Sequence, residues 1–116
     1  MDFKPTNLPV ENEYPKLVRD NIPNIIKSKI GKEPSTKILN DEEFLRYLAK
    51  KMIEESTEVQ HSIEYGNMQE ELADVQELID TMLKFKGWTR EDIAKTQKEK
   101  KAKNGGFEKR ILLLNK

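Results

Sequence analysis

Apolar residues recur every three or four positions along most of the chain, which is the spacing of one helix face. The first such segment, NIPNIIKSKI, has Pro23 in its first turn and is followed by Gly31, a residue type that commonly ends helices. The residues before it, 1–15, contain three prolines and little apolar periodicity. We therefore predict an extended N-terminal arm over residues 1–15 and a first helix that ends near Gly31.

Three longer helices are predicted after this segment. Each begins at a residue whose side chain can cap the first turn, with an acidic residue three positions later, as in a capping box. The predicted ranges run from Asn40 or Asp41 to about Ile63, from Asn67 to about Lys86, and from Thr89 to about Lys103.

The final apolar segment, FEKRILLL, is too short for a core helix, and we predict a strand there. It could pair with the segment KIL, residues 37–39, in a small two-stranded sheet. The pattern as a whole predicts a mainly α fold, a bundle of about four helices that forms a single domain over residues 16–116.

Composition and charge further restrict the class of protein that we expect. Hydrophobic residues make up 35% of the 116 residues and charged residues 36%, so we expect a homodimer or homotetramer that completes a modest core. The formal net charge is zero, which gives no basic field to attract nucleic acid, and the chain has no cysteine. The polar N-terminus does not resemble a signal peptide, and no apolar run approaches the ~20 residues of a membrane span. We therefore expect a cytoplasmic protein with no membrane partner.

Four acidic side chains lie on or beside the apolar faces of their predicted helices, where charged residues are not expected. At about 100° per residue, Glu55 and Glu58 lie beside the apolar face of the second predicted helix. Glu71 and Asp74 lie in or beside the apolar face of the third. Glu54 points nearly opposite the apolar face of its helix, so we expect it to face solvent.

A short turn joins these two helices, which should therefore pack antiparallel and bring the acidic pairs together. Buried carboxylates need raised pKa values, basic partners or a cation, and four of them suit Mg²⁺ or Mn²⁺. The alternative is a solvated surface, on which Lys50 and Lys51 pair with Glu54 and Glu55.

The segments EESTE (54–58) and ELAD (71–74), separated by 12 residues, match the pattern EExxE…ExxD. This pattern resembles the signature of the MazG-like all-α NTP pyrophosphatase superfamily. The blocks YPKLVRDNIP, DEEFLRYLAKKMIEE and KEKKAKNGGFEKRILL are similar to its short phosphoribosyl-ATP pyrophosphohydrolase-like branch, also called house-cleaning nucleotide pyrophosphatases. The resemblance covers residues 14–114, and one departure is Asn21, where that branch usually has lysine.

The resemblance implies Mg²⁺-dependent cleavage of the α–β phosphoanhydride of an NTP or a related nucleotide, which gives a monophosphate and pyrophosphate. It implies that Mg²⁺, or Mn²⁺, is held by Glu55, Glu58, Glu71 and Asp74, the same four residues that helix geometry selects. By the same resemblance Glu54, Glu55 and Glu58 are expected to be catalytic. The substrate phosphates also need cations, and we expect these to come from Lys16, Arg19, Lys51, Lys100 and Lys103.

Two alternatives belong to other functional classes. One is a catalytically inactive MazG-like helical module that serves interaction or regulation. The other is a nucleic-acid binder that uses the lysine-rich segment 95–103, although the zero net charge gives this little support. The sequence does not determine which nucleotide would be the substrate.

Overall fold

The computed structural model describes residues 14–116, so the predicted N-terminal arm lies almost entirely outside the described residues. Residues 14–116 form helices α1 (Ile22–Ile30), α2 (Asp41–Tyr65), α3 (Met68–Lys86) and α4 (Arg90–Asn104). No strand occurs within this range, which confirms the mainly α class. None of the helices in the described part of the chain is both long enough and apolar enough to cross a membrane.

The ends of the helices follow from local hydrogen bonds. At the start of α2 the Glu43 N–H donates to Asn40 Oδ1 at 2.9 Å, and the Asn40 N–H donates to Glu43 Oε1 at 3.2 Å. Thr89 and Asp92 form the same capping box at the start of α4. Helix α2 is followed by Gly66, whose left-handed φ of 77° is a conformation that glycine adopts without a steric penalty. The predicted boundaries are thus confirmed to within a few residues.

The start of α3 differs in detail from the predicted capping box. The Asn67 side-chain amide donates to Glu71 Oε1 at 3.0 Å, and the Asn67 carbonyl accepts the Glu71 N–H at 3.2 Å. The expected partner, Glu70, is exposed. The turn between α2 and α3 therefore holds Glu71 through both its backbone and its side chain.

The chain divides into two compact units, one ending at Met82 and the other comprising Leu83–Lys116. The first unit contains α1, α2 and most of α3, and Leu48 and Leu78 are its buried apolar side chains among the described residues. The second contains the end of α3, α4 and the C-terminal residues, and its buried apolar side chain is Leu83. Few apolar side chains are thus buried among the described residues.

Several large apolar side chains are exposed. In the first unit Ile38 is 93% exposed, and Ile53, Ile63 and Leu72 are also exposed. In the second, the C-terminal residues 111–114 are 79–85% exposed.

The two segments predicted to form a sheet, 37–39 and 107–114, contain no strand in the single chain. A turn interrupts the second segment, because the Arg110 N–H donates to the Phe107 carbonyl at 3.0 Å and Arg110 has a positive φ of 58°. An apolar segment needs a hydrogen-bonded partner and a covering surface before it becomes a stable strand. The two-stranded sheet stays a prediction.

Candidate metal-binding site

Three carboxylates from two helices meet in the first unit. Glu55 of α2 and Glu71 and Asp74 of α3 each place one carboxylate oxygen within 4.8 Å of the other two. All three residues are half-buried. The turn at Gly66 reverses the chain between the helices, so the inner margins of α2 and α3 face each other at this point. The structure thus brings together three of the four predicted metal ligands.

The electrostatic environment of Glu55 is strongly unfavourable to its negative charge. Burial is the main cause and the nearby Asp74 charge the second in raising the pKa of this carboxyl to about 7. The Lys51 ammonium acts in the opposite direction, while Glu54 and Glu71 add smaller repulsions. At neutral pH the Glu55 carboxyl is therefore only partly ionised.

The donor set fits a divalent cation that prefers oxygen ligands. Carboxylate oxygens are the protein ligands that Mg²⁺ and Mn²⁺ favour, and Mg²⁺ usually binds one or two carboxylates while keeping waters and substrate phosphates as its other ligands. A cation among Glu55, Glu71 and Asp74 would offset the burial and the repulsion from Asp74 that raise the Glu55 pKa. The residues are thus suited to hold Mg²⁺ in chemistry and in spacing.

Glu58, the fourth predicted ligand, lies outside this group of three. It is half-buried and lies one turn after Glu55 on α2. A helical wheel gives the direction of a side chain around the axis, and it does not give the distance to residues on a second helix. The role of Glu58 as a ligand and in catalysis stays a prediction.

The prediction that Glu54 faces solvent is wrong. Glu54 is 9% exposed, and Lys51 Nζ lies 3.0 Å from its Oε2 atom and 3.8 Å from Glu55 Oε1. The prediction assumed that α2 has one covered face. The segment before α1 covers a second face, because Pro15 and Leu17 line a cavity together with Glu54. Burial of a carboxylate there is tolerated because Lys51 pairs with it.

One predicted phosphate-binding residue contacts the carboxylate cluster directly. Arg19 Nη2 donates to Asp74 Oδ1 at 2.6 Å, although both side chains keep contact with solvent. The ion pair links the segment before α1 to α3 and places a guanidinium at the edge of the three carboxylates. Sequence spacing does not predict this contact, because Arg19 and Asp74 are 55 residues apart.

The other predicted phosphate-binding residues are four lysines, two of which lie near the carboxylate cluster and two on α4. Lys51 is mostly buried between Glu54 and Glu55, and Lys16 lines the neighbouring cavity. Lys100 and Lys103 are exposed on α4, in the second unit, and their contact with substrate stays a prediction.

Comparisons of the chain with models of protein families, with curated proteins and with solved structures found no match.

Proposed function

We propose that the chain is a Mg²⁺-dependent nucleotide pyrophosphohydrolase that cleaves the α–β phosphoanhydride of a nucleoside triphosphate or a related nucleotide. The observation that carries the proposal is the meeting of Glu55, Glu71 and Asp74 from two helices. The pattern EExxE…ExxD and its flanking blocks support it independently, because they resemble the MazG-like superfamily.

The chemistry requires water to attack the α-phosphorus, the bond to the bridging oxygen to break, and pyrophosphate to leave. When bound, Mg²⁺ supplies positive charge that offsets the charge of the phosphate oxygens. A carboxylate of the motif, Glu54, Glu55 or Glu58, accepts the proton that the attacking water loses. Arg19 and Lys51 lie next to the carboxylates and can balance the charge that develops on the phosphates.

We also propose that the protein acts as a homo-oligomer, a dimer or a tetramer. The exposed apolar side chains of both units support this, above all the four consecutive ones at 111–114, since adjacent exposed apolar residues often belong to an interface. Sedimentation or light scattering of the purified chain tests this part separately, and a monomer at micromolar concentration would contradict it.

A panel of canonical and modified nucleoside triphosphates, assayed for pyrophosphate release with Mg²⁺, tests the activity. Glu71→Gln removes one charge of the cluster with little change in shape, and we expect it to lower the rate by about 100-fold. Glu70→Gln is the matched control, because Glu70 is the exposed neighbour on the same turn of α3. The control should keep its rate within about two-fold of the wild type.

Two results would overturn the proposal. One is the absence of pyrophosphate release from every nucleotide in the panel, and the other is an undiminished rate in Glu71→Gln. Absence of activity together with absence of Mg²⁺ and Mn²⁺ binding in calorimetry would favour the alternative, an inactive helical module for interaction or regulation.

A further inference from the structure

A second feature of the first unit is a cavity of about 210 Å³ between the segment before α1 and one face of α2. Its apolar lining comes from Pro15 and Leu17 on one side and from Tyr47 and Ile53 of α2 on the other. The cavity is smaller than the roughly 300–1,000 Å³ typical of sites that enclose a whole drug-sized ligand. It therefore suits one part of a nucleotide.

The charged residues that line this cavity are mostly basic. Within residues 14–116 they are Lys16, Lys50 and Lys51, with Glu54 as the single acidic residue. Lys51 pairs with Glu54 at 3.0 Å, so one positive charge is matched within the lining. The formal charges of these four side chains sum to about +2, which complements a phosphate group. Apolar neighbours make the attraction stronger than it would be in open solvent.

The aromatic residues near the cavity are already in contact with lysines. Lys50 Nζ lies 5.8 Å from the centre of the Tyr47 ring, and Lys16 Nζ lies 5.3 Å from the centre of the Tyr14 ring. A nucleobase would need such a ring face for stacking, whereas a phosphate needs only the ammonium groups. The arrangement therefore favours an anionic ligand over a base.

The cavity adjoins the carboxylate cluster through α2. Glu54 lines the cavity and Glu55 belongs to the cluster, and Lys51 Nζ is within 4 Å of both. A polyphosphate chain whose α–β anhydride lies at the cluster would thus have its β- and γ-phosphates within reach of the cavity.

We propose that this cavity binds the β- and γ-phosphates of the nucleotide and retains the pyrophosphate product, with Lys50 as a binding residue. The inference rests on the proposed function for the identity of the nucleotide. The cavity itself defines an anion site that inorganic pyrophosphate can probe without any reaction.

Calorimetric titration with inorganic pyrophosphate, in EDTA to remove divalent cations, tests the site. We expect Lys50→Ala to weaken pyrophosphate binding about five-fold or more, since a charge-assisted hydrogen bond is lost. Lys29→Ala is the matched control, an exposed lysine of α1 outside the cavity, and its affinity should equal that of the wild type. Lys50 is exposed, so the variant should fold, and circular dichroism verifies this.

A second variant should change the affinity for pyrophosphate in the opposite direction. Glu54→Gln removes the negative charge of Glu54 and its ion pair with Lys51, so pyrophosphate should bind about three-fold or more tightly. A purely structural role of the Lys51–Glu54 pair would not strengthen anion binding. Weaker or unchanged binding in this variant would contradict the assignment.

The outcomes separate the two proposals. Nucleotide hydrolysis by the wild type, with unchanged pyrophosphate affinity in Lys50→Ala, overturns the cavity site and leaves the enzyme. Pyrophosphate binding that weakens in Lys50→Ala, without hydrolysis of any nucleotide, supports the cavity site and overturns the proposed activity. No pyrophosphate binding by the wild type at millimolar concentration overturns the cavity site alone.

Discussion

The raised pKa of Glu55 makes a specific prediction about stability. Above pH 7 the folded protein holds an ionised carboxylate in a place where burial and Asp74 disfavour it. Glu55→Gln keeps the shape of the side chain and removes its charge. In the absence of divalent cations the variant should therefore be more stable than the wild type at pH 8, and this advantage should shrink at pH 5.

The direction and size of this change in stability follow from the pKa of Glu55 in the folded protein and in the unfolded chain. The folded-state pKa, about 7, is above the ordinary 4.5, so the folded state holds the proton more tightly and the wild type loses stability as pH rises from 4.5 to 7. At about 1.4 kcal/mol per pKa unit, the loss between pH 5 and pH 8 amounts to about 2.5 kcal/mol. The side chain is 13% exposed, so we expect about 2 kcal/mol after allowing for this contact with solvent.

Urea denaturation in EDTA at pH 5 and pH 8 measures the difference in the free energy of unfolding. Glu64→Gln is the control, an exposed position on the same helix, with an expected change below about 0.5 kcal/mol at either pH. If Glu55→Gln gains no more stability at pH 8 than at pH 5, the burial and repulsion inferred for Glu55 are refuted. Addition of Mg²⁺ at pH 8 should raise the stability of the wild type and leave Glu55→Gln nearly unchanged.

Three further predictions concern the same unit. Calorimetry should show Mg²⁺ affinity falling about ten-fold from pH 8 to pH 6, since protons compete for Glu55 below its pKa of about 7, and constant affinity would exclude Glu55 as a ligand. Leu48→Ala should lower the free energy of unfolding in urea by about 2–4 kcal/mol, because Leu48 is 1% exposed; a loss below about 1 kcal/mol would show that Leu48 is not a core residue. Asn40→Ala should cost about 1 kcal/mol in thermal unfolding through loss of the capping hydrogen bond to the Glu43 N–H, while Asn40→Asp should retain most of it.

Local features of this chain could be read from its sequence because the forces that produce them act over three or four residues. The capping boxes at Asn40 and Thr89 join a side chain to a backbone group three positions away. Gly66 ends α2 through its own backbone conformation. Helical periodicity likewise gave the directions of Glu55, Glu71 and Asp74, since a direction around a helix depends only on the spacing of residues.

The environment of Glu54 could not be read in the same way. Its burial depends on the segment around Pro15 and Leu17, which is distant in sequence and covers a second face of α2. Sequence analysis allowed Lys51 to pair with Glu54 on a solvated surface. It did not predict that this pair would be buried. A helical wheel that assumes one buried face for each helix does not predict a second buried face, which an irregular segment of the chain can cover.

The sequence by itself determined the four helices, most of their ends, and the inward direction of Glu55, Glu71 and Asp74, because these follow from local hydrogen bonding and helical periodicity. Tertiary structure decided which carboxylates meet: Glu55, Glu71 and Asp74 converge, Glu58 lies outside the group, and Arg19 reaches Asp74 across 55 positions. It also decided the burial of Glu54. The physical reason is that distances between helices depend on how separate segments pack, and packing joins residues that sequence spacing leaves unrelated.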